Sequence, residues 1–242
     1  MLLELSFVGF FSFTSLFLMR KVAKAVGLVD KPNERKLHNG AIPLVGGISI
    51  SLSISQYLVT HPDVIPHSQV FLASIAALIV IGALDDKFDI SFKIRLIVQA
   101  ILSICMMYFA DLRLENIGNL FGLGDLHLGF LSPVITILAV IGAINAFNMV
   151  DGIDGLLGGL AIVTLGAIAI LLKVDSQHGL AYLCVVFIVA IIPYILMNLG
   201  ILGRERKVFM GDAGSMMIGF TVIWLLLGAS QAPSEPLMRP IT

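Results

Sequence analysis

The chain has 242 residues, 58% of them apolar and 13% charged, with a mean hydropathy of +1.00 and a formal net charge of −1. So few charges cannot cover a soluble globule of this size, and the balanced charge excludes a nucleic-acid binder driven by bulk positive potential. What remains is an all-α, polytopic transmembrane protein, in contact with a lipid bilayer.

A helical span needs about 20 mostly apolar residues. Eight such stretches run in order, at about 3–20, 44–60, 69–85, 94–112, 130–147, 157–173, 179–198 and 215–230. Arg20 and Lys21 follow the first apolar run and no small-residue cleavage site comes after it, so a retained span is expected, not a signal peptide. The eighth closes at the Pro-containing stretch Gln231–Pro240. Cys105 and Cys184 both lie in apolar runs and read as small hydrophobes. A single transmembrane domain, 1–242, accounts for the pattern.

If the segments after spans one, three, five and seven share a side, that side holds 12 of the 15 basic residues. They are Arg20, Lys21, Lys24, Lys31, Arg35, Lys36, Lys87, Lys93, Arg95, Arg204, Arg206 and Lys207. The positive-inside rule makes this side cytoplasmic and turns both termini outward. The same side collects Asp85, Asp86, Asp89, Asp151, Asp154 and Asp212 at or near span ends, whereas Asp63, Asp111, Glu115, Asp125, Asp175 and Glu235 scatter through outer loops and read as solvated surface. Ionisable groups at membrane depth are expensive, so the first set carries the functional expectation. The segments at about 20–43, 85–95, 145–157 and 199–215 are the expected catalytic face.

Four motifs lie there. Asp85-Asp86-Lys87-Phe88-Asp89 ends the third span; on a helix Asp85 and Asp89 share a face, and neighbouring carboxylates repel unless a cation or shared proton relieves them. In Asn145-Ala-Phe-Asn148-Met-Val-Asp151-Gly-Ile-Asp154-Gly155, polar residues recur every third position, so Asn145, Asn148 and Asp151 can line one stripe before the glycines turn the backbone. Lys207-Val-Phe209-Met-Gly211-Asp212-Ala-Gly214-Ser215 sets two glycines around an acid just before a helix N-terminus, which suits phosphate, and Phe209 offers a flat face for a base. A Gly-rich turn with Asp or Ser as the cap is the plainer alternative. The fourth, Asp30-Lys31-Pro-Asn-Glu-Arg35-Lys36-Leu-His38 with Ile42-Pro-Leu-Val-Gly-Gly47, can meet anionic headgroups or a phosphate, though ordinary topology also explains its charge. Carboxylates alone repel a phosphate substrate, but with a divalent cation they attract it. Phosphoryl transfer at a membrane surface is the expected chemistry.

DKPNERK, IPLVGG, GALDD, NAFNMVDGIDGLLGG and KVFMGDAGS together resemble the polyprenyl-phosphate N-acetylhexosamine-1-phosphate transferases, nearly continuously from residue 16 to about 230. The likeness is greatest to the branch that places N-acetylglucosamine phosphate on undecaprenyl phosphate. The resemblance implies a bacterial inner-membrane enzyme that takes UDP-N-acetylglucosamine and undecaprenyl phosphate, releases UMP and starts a cell-envelope polysaccharide. It implies Mg²⁺, with Mn²⁺ as the alternative, on Asp212. Asp85 and Asp86 would sit beside the lipid phosphate, with Asp86 a candidate base. Asn148, Asp151 and Asp154 would hold the nucleotide-sugar, Phe209 would stack on uracil, and Asp30, Asn145, Asn198 and Gly211 are further substrate-site candidates. The family continues with more spans and a later loop rich in His and basic residues, so an N-terminal portion of the fold is expected here. Two other readings stand beside this one: an inactive membrane protein of transferase ancestry, and an ion-coupled transporter.

Overall fold

The computed structural model describes residues 2–30, 40–119, 122 and 124–231. The first-loop residues Lys31, Arg35, Lys36 and His38, like Glu235, Arg239 and most of the Gln231–Pro240 stretch, lie outside the described residues. Among the described residues eight α-helices follow one another: α1 (Leu2–Val26), α2 (Gly46–Thr60), α3 (Ser68–Phe88), α4 (Phe92–Phe109), α5 (Ser132–Val150), α6 (Leu156–Val174), α7 (His178–Asn198) and α8 (Gly211–Ser230). Two-residue strands β1 (Val29–Asp30) and β2 (Ile42–Pro43) pair antiparallel between α1 and α2, with Asp30 opposite Ile42.

Seven of these helices are long and apolar enough to cross a membrane. The exception is α2, whose 15 residues rise only about 22 Å. It nevertheless keeps the alternation expected of eight spans. Its first turn takes the Val45 and Gly46 N–H groups to the Phe209 carbonyl at one end, and Tyr57 meets Tyr182 of α7 at the other, ring centroids 6.1 Å apart. The α7 helix runs the opposite way, from Tyr182 to Tyr194, whose ring lies against Gly46. Helix directions thus alternate through the bundle. One end collects the C-termini of α1, α3, α5 and α7 and the N-termini of α2, α4, α6 and α8. The described basic residues follow suit: Arg20, Lys21, Lys24, Lys87, Lys93, Arg95, Arg204, Arg206 and Lys207 are at this end, Arg113 and Lys173 at the other.

The core is built around α8, the most buried of the long helices, packed against α2, α3, α5 and α6. Lipid supplies no hydrophobic drive between helices, so close packing has to come from small residues. A side chain at Gly47 would run into the Gly214 backbone, one at Gly82 into Ala213, and one at Gly219 into Ala143 and Ile144. Those three contacts bring α2, α3 and α5 against α8 near its N-terminal half. Toward the other end, Phe71, Phe187, Phe220 and Trp224 fill the core, the Phe71 and Trp224 rings edge to face at 5.2 Å.

Candidate active site

The tight entry into α8 assembles the site. Gly211 has φ +76°, a left-handed conformation that only glycine adopts cheaply, and a Cβ there would stand 2.5 Å from the Asp86 carboxylate. Asp86 Oδ1 instead accepts the Asp212 N–H at 2.9 Å, so an α3 carboxylate caps the N-terminus of α8. Its Oδ2 is buried without a hydrogen-bond partner. Asp212 therefore lies in the first turn of α8, one step further into the helix than the expected turn before it.

Asp212 is held from two more directions. Asn148 Nδ2, from the last turn of α5, donates to Asp212 Oδ1 at 2.7 Å and lies 2.9 Å from Ser215 Oγ. Arg95 Nη1, from the first turn of α4, donates to Asp85 Oδ2 at 2.5 Å and approaches Asp212 Oδ2 at 3.5 Å. Asp151, just past the end of α5, lies near the Gly211 N–H, yet burial and the nearby Asp212 charge push its carboxyl up to about 7. Four carboxylates, Asp85, Asp86, Asp151 and Asp212, thus surround one helix N-terminus.

A second group sits alongside. Asp154, in the exposed loop before α6, pairs with Lys207, whose Nζ lies 5.3 Å from the centre of the Phe209 ring. Phe209 itself is anchored through its backbone, its N–H to the Pro43 carbonyl at 2.9 Å and its carbonyl to Val45 and Gly46. Asn198, almost fully buried, links the two loops: its Oδ1 accepts the Gly155 N–H at 2.6 Å and its Nδ2 donates to the Val208 carbonyl at 2.9 Å. Both halves of its amide are thus engaged in positioning Gly155 and the Phe209 segment. Asp30 lies at the same end, in the β1–β2 pairing that delivers Leu44 to Phe209.

Two expectations change. Asp89 does not share the Asp85 face: α3 stops at Phe88 and Asp89 becomes an exposed left-handed cap (φ +53°), its N–H returning to the Asp85 carbonyl. Asn145 leaves the stripe as well. Its Nδ2 donates at 2.8 Å to Gln99 of α4 and at 2.8 Å to the Ile141 carbonyl, one turn deeper than Asn148. A residue that the motif reading passed over is Arg95. The signal was present: α3 and α4 form a hairpin turning at residue 90, and in such a hairpin Asp85 and Arg95 stand equally far from the turn. Ser215 and Lys207 were visible only as members of their motif.

The sequence profile described as glycosyl transferase family 4 matches residues 68–230. The chain belongs to this family. Three bacterial relatives, each named undecaprenyl-phosphate alpha-N-acetylglucosaminyl 1-phosphate transferase, illustrate the likeness. The Yersinia pestis protein is 54% identical over 240 residues, 99% of this chain and 65% of that one. The Escherichia coli K12 protein is 53% identical over 237 residues (97% and 64%), and the Haemophilus influenzae protein 48% identical over 238 (98% and 66%). The chain thus spans about 65% of the length of the Yersinia relative. All four carboxylates of the site, with Asn148 and Ser215, fall inside the stretch that matches family 4.

Proposed function

We propose that this chain carries the catalytic face of an enzyme that transfers N-acetylglucosamine 1-phosphate from UDP-N-acetylglucosamine to undecaprenyl phosphate, at the cytoplasmic face of a bacterial inner membrane. The observation that carries this reading is the convergence of Asp85, Asp86, Asp151 and Asp212 on the N-terminus of α8. The names of the relatives supply the substrate class, and the bias of basic residues to the same end supports the orientation.

In the proposed reaction an oxygen of the lipid phosphate attacks the β-phosphorus of the nucleotide-sugar. The bond from that phosphorus to the bridging oxygen breaks, and UMP leaves with the electron pair. A phosphate monoester has its second pKa near 6, so the nucleophile is already largely dianionic at neutral pH and needs no strong base. Positioning and charge neutralisation are then the main demands. Asp154, Lys207 and Phe209 would receive the nucleotide, with the Phe209 ring as the stacking face, while Asn148 and Arg95 hold Asp212 toward the phosphates.

The donors suit a hard divalent cation. All are carboxylate oxygens, and Asp86 Oδ2 is buried and unclaimed. Mg²⁺ is usually held by one or two carboxylates plus substrate phosphates, and Asp86 and Asp212 at the start of α8 supply that number. Asp212 and Asp86 would hold it, and when bound it would neutralise charge on the phosphate oxygens. An ion-coupled relay would place its acids near mid-span. Here Asp85, Asp86 and Asp212 lie within about a turn of their helix ends, and Asp151 lies just beyond one.

The test is reconstitution of the purified chain with undecaprenyl phosphate and labelled UDP-N-acetylglucosamine. Binding of the labelled nucleotide-sugar that requires Mg²⁺ and is lost with EDTA is the expected result. Failure of the protein to bind UDP-N-acetylglucosamine in the presence of Mg²⁺ would overturn the reading.

A further inference from the structure

We propose that Arg95 is a resident counter-cation of the carboxylate site, neutralising Asp85 and Asp212 until a divalent cation displaces it from Asp212. This rests on the proposed metal-dependent reading and deepens it. Arg95 Nη1 is shared unequally, at 2.5 Å from Asp85 Oδ2 and 3.5 Å from Asp212 Oδ2. The longer contact is an electrostatic one, beyond good hydrogen-bond distance. Asp212 Oδ1, by contrast, is fixed by Asn148 at 2.7 Å. Oδ2 is therefore the oxygen that Asp212 yields at least cost, and yielding it leaves the carboxylate still oriented.

The guanidinium is also incompletely satisfied. Arg95 Nε is buried without a hydrogen-bond partner, although a guanidinium presents five donors in a rigid fork. Its charged group lies 5.8 Å from the centre of the Phe92 ring, a flat surface along which a planar group can slide without losing all stabilisation. Asp85, mostly buried, keeps Arg95 tethered to α3 while the Asp212 contact opens. A displaced Arg95 then remains beside the phosphates that arrive with the cation, where its fork suits their oxygens. The same side chain would hold the carboxylates together in the resting protein and limit how tightly the free site takes a metal.

The sign of the expected effect is what separates this role from a merely supporting one. Removing a competitor strengthens metal binding, while removing a support weakens it. Mn²⁺ binding to the detergent-solubilised chain, read from loss of the free-ion electron paramagnetic resonance signal, is compared for wild type, Arg95→Gln and Arg95→Lys. Thermal unfolding of each is followed with and without Mn²⁺. Arg95→Gln is expected to bind Mn²⁺ at least threefold more tightly than wild type, to unfold at a lower temperature without metal, and to regain more of that loss when Mn²⁺ is added. Arg95→Lys, which keeps the charge but not the fork, should fall between them and guards against a Gln variant that does not fold. Equal or weaker Mn²⁺ binding in both variants overturns this proposal alone. No saturable Mn²⁺ binding by wild type or variants overturns it together with the metal reading.

Discussion

The two ends of the helix bundle manage their charge differently. At the end away from the site, acids are exposed and meet neighbours in water: Arg113 and Glu115, two residues apart, pair at 2.7 Å with about half of each side chain exposed, and Glu4 accepts from the Tyr182 hydroxyl at 3.0 Å. Gln231 ties that end together through neutral hydrogen bonds to the Glu115 and Asn116 backbone. At the other end, Asp85 is buried and its partner is a cation on the next helix; Asp86 caps a helix 126 residues away, and Asp212 is held by Asn148, 64 residues away. Solvated local pairs contribute little to stability and respond weakly to mutation. Converging carboxylates from distant helices stay together only because packing holds them, and they leave an unmatched negative potential.

The sharpest way to break this contrast is at Asp212. Asp212→Asn keeps the shape and the Asn148 contact geometry but removes the charge, and in the complete enzyme is expected to lower transfer at least ~100-fold, about 2.7 kcal/mol of transition-state stabilisation. Lipid-linked sugar formation in reconstituted vesicles measures it, and near-normal turnover would remove Asp212 from the machinery. At Asn198 the effect is expected on stability and binding, not on the transfer step itself. Asn198→Ala strips the partners from the Gly155 N–H and the Val208 carbonyl, at about 1–3 kcal/mol for each buried group left unpaired. A lower unfolding temperature should accompany weaker nucleotide-sugar binding, because both loops lose their common anchor. Unchanged unfolding would mean that water replaces the amide.

Asp151 sharpens the comparison through pH. Its folded-state value of about 7 exceeds the ordinary 3.8, so the folded protein binds that proton more tightly than the unfolded one. The associated stability is fully present below pH 3.8 and is lost as pH rises through 7. Asp151→Asn should therefore flatten the fall in unfolding temperature between about pH 4 and 7, and an unaltered pH profile would count against the buried, charge-crowded setting of this carboxyl. The smallest effect belongs to the opposite end: Glu115→Gln should change stability by less than about 0.5 kcal/mol and leave nucleotide-sugar binding as it was, since its pair with Arg113 is half exposed.

Much of this architecture was legible in the residues themselves. A span must be apolar over its whole length because lipid offers nothing to a polar group, so helix positions in the bundle are local properties, and seven of the eight expected stretches became long apolar helices. The one-sided distribution of Asp85, Asp86, Asp151, Asp154 and Asp212 was likewise visible, since counting turns along the chain assigns every span end to a side. Partnership was not visible in this way. Whether Asn145 faces the carboxylates or Gln99, whether Asp89 continues the α3 face or caps it, and whether Asn198 anchors two loops depend on how each helix is rotated and how closely it approaches α8. Those rotations are set by contacts such as Gly47 on Gly214 and Gly82 on Ala213, between residues more than a hundred positions apart. Composition and periodicity specify which residues reach the membrane's edge; only the tertiary packing decides which of them touch.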